Sequence, residues 1–537
     1  MRRMVLGTVS ALAIGAASLL GAGTGPAWAE TPADQLIVGM NMNNMLSLDP
    51  HDVGQFEPTH VFSNVYDTIV TTDPSDPAIL LPGVAESWDL APDGTITFHL
   101  RDDIAFHSGR PITAADVVGS FHRLLEMNLS PSNHFKSWGY SVDNMEELIF
   151  AEDDHTVVMK MASPFNAKLK LYFLANSLGS VLDMEEVMAH EQDGDLGKAW
   201  LATNAAGSGP FTLRNWTPNE IAILDRNDDY WGEVAKMRRV VVRHMPESQT
   251  ARLQLEQGDL DVAYTLSGAD FDALEANPDV DIVRVPGGGY YYLSVNMKDP
   301  DLSKPEVREA LRWCIDYEGI NESLMRNYGI AWKRQIPPGI PGAIEADLAY
   351  TLDIDKCREG LAAAGYPDGM AKTLRVLTLP PFAEIATAIQ GTMGQAGVEI
   401  EILPGDGGSV YGSMRNRDFE FLVGRSGGGF IPDAHDFMRS TWYNQDNSDE
   451  AKLTGQLAWR ASWYDEEINA LIEEGVAEQD DQRRLEIYAE IQRLIEEKVP
   501  YFMPISQRID PFAVSSRVRN YVGNPTWMAP WEIVEKD

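Results

Sequence analysis

The chain has 537 residues, of which 81 are acidic and 43 are basic, and its formal net charge is −38. Its hydrophobic fraction of 44% is typical of a globular protein and too high for a disordered chain, and its length predicts at least two domains. The negative charge argues against nucleic acid or an anionic membrane surface as a partner, and two cysteines are too few for a disulfide scaffold.

The first thirty residues have the order of a secretory signal peptide. Arg2 and Arg3 precede an apolar stretch that extends to about Ala22, and residues 27–29 form a small-x-small cleavage site. Cleavage after Ala29 leaves 41 basic and 81 acidic residues, a formal net charge of −40. No later apolar stretch is long enough to span a bilayer. We therefore expect a soluble mature protein outside the cytoplasmic membrane, exported through the general secretory route.

Alternation and capping signals predict a strand and then a helix in the first quarter of the chain. Ile96, Phe98 and Leu100 alternate with polar residues, as in a half-buried strand. Thr113 lies three residues before Asp116, which is the spacing of a capping box, and apolar residues at helical spacing follow.

Strand and helix patterns continue to interleave along the rest of the chain. Alternating apolar residues predict strands near 221–223 and 240–242. Pro305 opens a helix whose apolar face continues to Ile315, and residues 485–495 form another apolar helical stripe. Interleaved strands and helices predict an α/β fold with mixed layers.

Cys314 and Cys357 both lie on apolar faces of predicted helices. Two small buried hydrophobic residues would explain these positions. Because the chain is expected to be exported to an oxidising compartment, a Cys314–Cys357 disulfide is the alternative. The sequence leaves both open.

One enzyme motif matches the chain but lacks its context. Residues 424–428 fit the G-x-S-x-G nucleophile elbow, with Ser426 as the nucleophile, after a predicted strand. The only histidine downstream is His435, and Asp433 is the only acid between them, so a triad cannot be assembled in that order. Glycine and proline also replace the helix that should follow the elbow. We predict no catalytic residues, and a secreted serine hydrolase using Ser426 is the alternative from another class.

The sequence supports neither a metal site nor a cofactor. Asp433, His435 and Asp436 are residue types that could ligate a metal, but their spacing fits a polar loop equally well. His190 and Glu191 begin a zinc motif that lacks its second histidine, since position 194 is glycine. No phosphate-binding glycine loop is present.

Blocks along nearly the whole mature chain resemble one family. They include residues 48–51, 81–88, 93–101, 106–109, 113–118, 207–211, 292–296, 307–311 and 364–367. In this order and with these residues, for example LPGVAESW at 81–88 and TAADVV at 113–118, they resemble the bacterial extracellular solute-binding proteins, family 5. These are the dipeptide- and oligopeptide-binding proteins of ABC importers.

The resemblance implies a two-lobed periplasmic binding protein fold, type II-like with mixed sheets and an inserted third subdomain. After a signal peptide of residues 1–29, residues 30–70, 203–284 and 506–537 would form lobe I. Residues 71–202 would form the insert and residues 285–505 lobe II, with two crossing segments joining the lobes.

The family's way of working predicts the partners. Such proteins close like a hinge around one ligand and then dock on a membrane permease. We expect a periplasmic monomer whose partners are a small-molecule or peptide ligand and the permease subunits of an ABC importer in the inner membrane. Some members of the family carry sugars, opines, nickel or haem, so the family alone does not fix the ligand.

The resemblance places the ligand beside a glycine-rich loop after a strand. Gly427, Gly428 and Gly429 can expose their backbone to a ligand. In peptide-binding members this loop supplies an aspartate for the peptide's α-ammonium, and the matching residue here, counted back from Phe437, is Phe430. Because a neutral ring cannot make that charge-assisted bond, both a peptide and a non-peptide solute such as an oligosaccharide or opine stay open.

Further candidates come from both lobes. Asn43, Asn44 and Met45 fall where the family lines its cleft from lobe I. In lobe II, the acids that could replace the missing aspartate are Asp433 and Asp436, and the aromatic candidates include Tyr292 and Trp442. Arg425 could bind a ligand carboxylate, although its expected role is a structural ion pair.

Overall fold

The computed structural model describes residues 31–52, 56–378, 381–426, 431–524 and 528–537. The expected signal peptide and the loop of residues 427–430 lie outside these described residues. Strands and helices interleave throughout them, as predicted for an α/β fold. In the described part of the chain, none of the helices combines the length and the apolar character needed to cross a membrane.

Residues 31–202 form a first strand and helix, followed by a small α/β unit. In chain order the elements are β1 (Gln35–Met40), α1 (Phe56–Phe62), β2 (Val70–Thr72), β3 (Leu80–Pro82), β4 (Ala85–Leu90), β5 (Ile96–Leu100), α2 (Ala114–Met127), α3 (Ser132–Ser137), α4 (Met145–Leu148), β6 (Ile149–Asp153), β7 (Thr156–Met159), α5 (Ala167–Leu174), α6 (Met184–Ala189) and α7 (Lys198–Leu201). A 3₁₀ turn at Ser177–Gly179 follows α5.

Residues 203–295 add strands and end in a long one. The elements are β8 (Phe211–Thr217), β9 (Ile221–Arg226), β10 (Arg239–His244), α8 (Ser248–Gln257), β11 (Val262–Ala263), α9 (Gly268–Leu274) and β12 (Val280–Val295).

The remaining elements are mostly helices around a second group of strands. They are α10 (Pro305–Arg312), α11 (Tyr317–Gly319), a π-helical turn at Ile320–Leu324, β13 (Gly329–Ile330), α12 (Ile354–Ala363), β14 (Met370–Leu377), α13 (Phe382–Gln395), β15 (Val398–Gly405), α14 (Gly407–Arg415), β16 (Phe421–Ser426), α15 (Ala434–Trp442), α16 (Leu457–Arg460), α17 (Glu466–Ala477), α18 (Asp481–Lys498), β17 (Phe502–Ser515), β18 (Val518–Arg519) and β19 (Glu535–Lys536).

The elements predicted from local patterns are present. In β5 the side chains of Ile96, Phe98 and Leu100 are buried, as their alternation indicates. At the start of α2, Asp116 accepts a hydrogen bond of 3.0 Å from the backbone N–H of Thr113, which is one half of the predicted capping box. β9, β10 and α18 also lie where the apolar patterns placed them.

One sheet runs through both lobes, because two long strands cross between them. Its order is β15-β14-β16-β12-β17-β11-β1-β10-β9-β8. β12 and β17 pair antiparallel along most of their length, from Val280 opposite Ser515 to Ser294 opposite Phe502. We call this pair the crossing ribbon. It matches the two crossing segments that the resemblance implies.

The ribbon is irregular where it passes between the lobes. Its register shifts between Pro286 and Tyr290, and Gly289 has a φ of 93°. A side chain there would be strained, so glycine suits the position. A bulge of this kind bends a strand locally.

Buried apolar side chains form separate clusters. One cluster draws only on residues 290–505. A second is built from residues 69–181, with Ile431 and Val476 added from far along the chain. The third and fourth lie on the two faces of the β1 sheet and combine residues 36–66 and 182–285 with residues 512–534. The chain therefore builds three bodies that correspond to the expected lobe II, insert and lobe I.

Cys314 and Cys357 form a disulfide, with their Cα atoms 5.5 Å apart. The bridge joins the turn after α10 to α12. α10 ends at Arg312, so that Cys314 and Ile315 lie just beyond the helix rather than on its predicted apolar face, although both are fully buried.

Candidate functional site

Strand ends from the two lobes meet in the gap between them. In lobe I, β1 and β11 are parallel to each other and β11 is antiparallel to β17, so both run toward lobe II. In lobe II, β14 and β16 are parallel and β16 is antiparallel to β12, so both run toward lobe I. Open α/β sheets bind ligands at the carboxyl ends of their strands. The gap is therefore the candidate binding cleft.

A cavity of about 760 Å³ lies in this gap beside the crossing ribbon. Lobe I lines it with residues after β11, from Tyr264 to Asp272, and lobe II with Tyr291, Arg425 and part of the segment 322–328. Residues 508–511 of β17 complete the wall. A volume of this size is typical of sites for small organic ligands. We call it the main cavity.

Some of the charges that line the main cavity are held in ion pairs. Arg508 donates two hydrogen bonds to Asp510, at 2.8 and 2.6 Å. Arg326 lies 2.5 Å from Glu275 of lobe I and 3.9 Å from Asp272. These pairs neutralise each other, and the Arg326 pairs also connect the two lobes.

Three further charged residues line the main cavity without an ion-pair partner among the described residues, namely Glu322, Glu384 and Arg425. All three are exposed and all belong to lobe II. They are therefore the charges most available to a ligand.

The structural ion pair expected for Arg425 is absent from the described part of the chain. Arg425 lies near the end of β16, opposite Tyr291, and is exposed where the strand reaches the cavity. Its backbone N–H donates to the Tyr411 hydroxyl at 3.4 Å. No described carboxylate lies within 4.0 Å of its guanidinium. Because the strand ends at the cleft, the side chain faces the cavity rather than an acidic neighbour.

Tyrosine rings form much of the cavity's neutral wall. The Tyr328 hydroxyl donates to the backbone oxygen of Leu266 at 3.0 Å, and the hydroxyls of Tyr264 and Tyr521 lie 2.7 Å apart. Burial raises the pKa of Tyr328 to about 12, so its hydroxyl stays neutral at physiological pH. With these hydroxyls engaged, the rings can offer flat apolar surfaces to a ligand.

A second, smaller cavity of about 270 Å³ lies on the opposite face of the ribbon. A side chain at Gly287 would point toward Asp510 of the main cavity, and successive strand residues face opposite sides. Pro286 and Gly288 therefore line the smaller cavity. Its remaining wall is rich in proline, from the insert and from lobe II, and consists largely of Pro74, Pro77, Pro337, Pro338 and Pro432.

The lobe I candidates lie at the surface or in the core. Asn43 and Asn44 are exposed just beyond β1, and Asn44 donates to Glu57 at 2.9 Å. Met45 is buried in the core of lobe I. None of the three lines the main cavity.

Tyr292 and Trp442 are core residues, which corrects their placement as ligand candidates. Tyr292 is fully buried, with its ring 4.3 Å from that of Phe502. Trp442 is 1% exposed and packs 5.4 Å from Tyr501. Because side chains alternate along β12, Tyr291 rather than Tyr292 faces the cavity.

Asp433 is a buried, paired acid rather than a solvated loop residue. It caps α15 by accepting from the backbone N–H of His435 at 2.8 Å, and it accepts from Arg484 at 2.7 Å. Asp433 and Arg484 are 1% and 2% exposed. Asp436 lies in the first turn of α15 and is partly exposed.

The contacts of His435 do not support a hydrolase. Its Nδ1 lies 2.7 Å from the Tyr488 hydroxyl, and burial lowers the pKa of the ring well below its ordinary value. Since the Asp433 carboxylate is bonded to Arg484, these contacts do not form the acid–histidine pair of a triad. Among the described residues, no group of three or more His, Cys, Asp or Glu side chains is arranged to hold a metal.

Gly427, Gly428, Gly429 and Phe430 lie outside the described residues. The residues on both sides are described, and they bring this loop to the cleft. It begins at the end of β16, directly after the strand that carries Arg425, and it ends at Ile431.

Sequence reasoning missed several residues of the main cavity. Tyr264, Glu322, Tyr328 and Glu384 follow short or irregular elements, and their local patterns resemble those of ordinary surface segments. The usable signal was the position of Tyr264 directly after an apolar strand, where ligand-binding loops of α/β folds begin.

Comparison with known proteins gives consistent relatives. The probable D,D-dipeptide-binding periplasmic protein DdpA of Escherichia coli is 27% identical over 510 residues, covering 93% of each chain. HbpA2 from Haemophilus parasuis superposes with a TM-score of 0.80 at 22% identity, covering 94% of this chain and all of the other. DppA from Helicobacter pylori, in complex with the peptide STSA, superposes with a TM-score of 0.74 at 24% identity, covering 94% and 98%.

The structural likenesses show the fold of a two-lobed periplasmic binding protein. The family described as bacterial extracellular solute-binding proteins, family 5 Middle, matches residues 80–449, which is more than half of the chain. The chain therefore belongs to the bacterial extracellular solute-binding proteins of family 5.

Proposed function

We propose that the protein is the periplasmic substrate-binding component of an ABC importer. It captures a peptide or peptide-like solute in the interlobe cleft, closes around it like a hinge and delivers it to the membrane permease. The observation that carries this proposal is the main cavity between opposing strand ends, in a chain of a solute-binding family. The D,D-dipeptide-binding relative and the Helicobacter pylori protein with bound peptide favour a peptide as the default ligand.

The proposal includes the cellular setting. The chain is exported, cleaved after Ala29 and active in the periplasm as a monomer that binds without turnover. Its macromolecular partners are the permease subunits in the inner membrane, and its negative charge makes nucleic acid an unfavourable partner. The separate apolar cores support the division into lobe I, insert and lobe II at the boundaries given above.

We assign the ligand's charged ends to the unpaired charges of lobe II. A carboxylate would bind Arg425, whose guanidinium offers two parallel N–H donors. An ammonium would bind Glu322 or Glu384, because Phe430 cannot take the role of the family aspartate. Lobe I would then close over the ligand with its neutral wall of Tyr264 to Phe271.

The first experiment is mass spectrometry of the solute that co-purifies with the mature protein. A peptide would support the proposal, whereas an oligosaccharide or an opine would establish the runner-up. A general esterase assay with wild type and Ser426→Ala addresses the other class, since Ser426-dependent turnover would contradict a purely binding role.

The second experiment tests Arg425 by calorimetric titration with a tripeptide and with its C-terminal amide. Arg425→Gln should weaken binding of the free acid about 10- to 100-fold, the value of a charge-assisted hydrogen bond, and should abolish the preference for acid over amide. Arg326→Gln is the matched control, because Arg326 lines the same cavity but is already paired. An equal loss for acid and amide would contradict the assignment.

The runner-up, a non-peptide solute, is favoured by Phe430. Phe430→Asp restores the carboxylate that peptide-binding relatives use, so it should strengthen binding of free-amine peptides but not of their N-acetylated forms. No gain in the titration would count against the alignment of this loop and favour the runner-up.

A further inference from the structure

We propose that the insert holds the closed state by clasping lobe II, and that Ile431 couples this contact to the ligand loop. The clasp is the contact between residues 165–168 of the insert and residues 476–481 of lobe II. The inference rests on the proposed hinge-closing function and adds the residues that keep the hinge closed.

Asn166 is the centre of the clasp. Its backbone N–H donates to the backbone oxygen of Val476 at 2.6 Å, and its Nδ2 donates to the backbone oxygen of Glu478 at 2.6 Å. Lys168 adds an ion pair of 2.6 Å with Asp481. The two carbonyls lie at the end of α17, where helix carbonyls lack partners within the helix. The insert thus satisfies groups of lobe II that opening would expose.

Two apolar side chains of lobe II complete the contact. Ile431 and Val476 are 0% and 3% exposed, and they pack into the core of the insert rather than into that of lobe II. Ile431 directly follows the loop of residues 427–430, and Asp433, two residues later, is fixed by its pair with Arg484. Because the chain is held on this side, a ligand that moves the loop also moves Ile431 against the insert.

The clasp is the weaker of the two interfaces of the insert, and it is therefore the one that separates. Toward lobe I, Arg123 donates two hydrogen bonds to Asp49, and their side chains are 1% and 0% exposed. Breaking a buried pair of this kind is costly. Toward lobe II, Lys168 and Asp481 are each 41% exposed, and exposed pairs contribute little. The insert should stay with lobe I while the clasp opens and closes.

Asn166→Asp separates the clasp from the stability of the insert. Asn166 also caps α5, with its Oδ1 accepting from the Leu169 N–H at 3.0 Å. Aspartate keeps this cap but loses the donor and places a negative charge against the Glu478 oxygen. Asn144→Asp is the matched control, because Asn144 donates to Gly139 at 2.9 Å wholly within the insert.

The test is a distance measurement by pulsed electron paramagnetic resonance on the protein as purified. Spin labels at Val142→Cys of the insert and Tyr464→Cys of lobe II are suitable, since both positions are exposed and the native cysteines are bridged. Wild type and Asn144→Asp should populate the short, closed distance. Asn166→Asp should lower the closed-to-open ratio about tenfold or more, as expected for a buried hydrogen bond that is lost. Ile431→Ala should shift it in the same direction.

An unchanged distribution in Asn166→Asp, an equal shift in Asn144→Asp, or a wild type that populates only the long distance would each overturn the clasp. Titration of the wild type with a tripeptide is a separate readout. A protein that binds no peptide but opens in Asn166→Asp would refute the peptide ligand and support the clasp.

Discussion

Two buried histidines of lobe I make stability depend on pH. His51 and His60 are 1% and 3% exposed. Burial lowers the pKa of His60 to about 3, and burial together with Arg123 lowers that of His51 to about 3. In the unfolded chain both titrate near the ordinary value of 6.5. Below that pH the unfolded state binds protons that the folded state does not, so the free energy of unfolding falls by about 1.4 kcal/mol per pH unit and histidine.

His60→Phe should therefore gain on wild type as the solution becomes acidic. Whatever the substitution costs at pH 7.5, its unfolding free energy relative to wild type should rise by about 2 kcal/mol at pH 5, because phenylalanine takes up no proton in the unfolded state. Denaturant unfolding at both pH values measures this. A difference that does not change with pH would show that His60 titrates alike in both states.

Single residues of the site were predictable only where backbone position determines exposure. Arg425 was identified because it ends a strand, and the cavity lies at that strand end. Tyr292 and Trp442 were misplaced because an aromatic residue looks the same in sequence whether it faces a core or a cleft. Only the register of β12 against β16 and β17 decides that Tyr291 points to the cavity.

At the scale of elements, the disulfide fixes the packing of α10 against α12. The apolar faces of both helices were visible in the sequence, but the bridge remained one of two alternatives because sequence does not give the distance between helices. The bridge closes a sequence separation of 43 residues. In the chain-entropy view a loop of this length is worth about 4 kcal/mol.

Replacing both cysteines should destabilise lobe II by about 2 to 4 kcal/mol, since the unfolded chain regains the freedom that the bridge removes. Thermal unfolding of the Cys314→Ala/Cys357→Ala variant measures the loss. Reduced wild type is the control and should unfold at nearly the same temperature as the variant. Reduction that leaves the wild-type transition unmoved would contradict a stabilising bridge.

For the whole molecule, the excess of acidic residues remains the dominant electrostatic feature. Most of the described acids are exposed or pair with a nearby base at the surface. A net charge of −40 on the mature chain repels itself, and salt screens that repulsion. The charge was readable from composition alone, whereas the fold and the lobe arrangement needed the family blocks, because they depend on contacts between distant segments.

Sodium chloride should stabilise the protein over a wide range. Since the screening length falls from about 10 Å at 0.1 M to about 3 Å at 1 M, the midpoint of thermal unfolding should rise by several degrees between these concentrations. An uncharged solute at equal osmolality is the control and should give a smaller rise. Equal rises in both would assign the effect to exclusion of solute rather than to charge.

The crossing ribbon has a mechanical consequence for this molecule. Two paired strands resist sliding past each other, because every hydrogen bond between them would have to break together. They can still flex at the irregular stretch between Pro286 and Tyr290. The ribbon therefore works like a leaf spring, which permits rotation about one axis and blocks translation. Each opening should retrace the same arc, so that the two faces of the cleft return in register on every cycle.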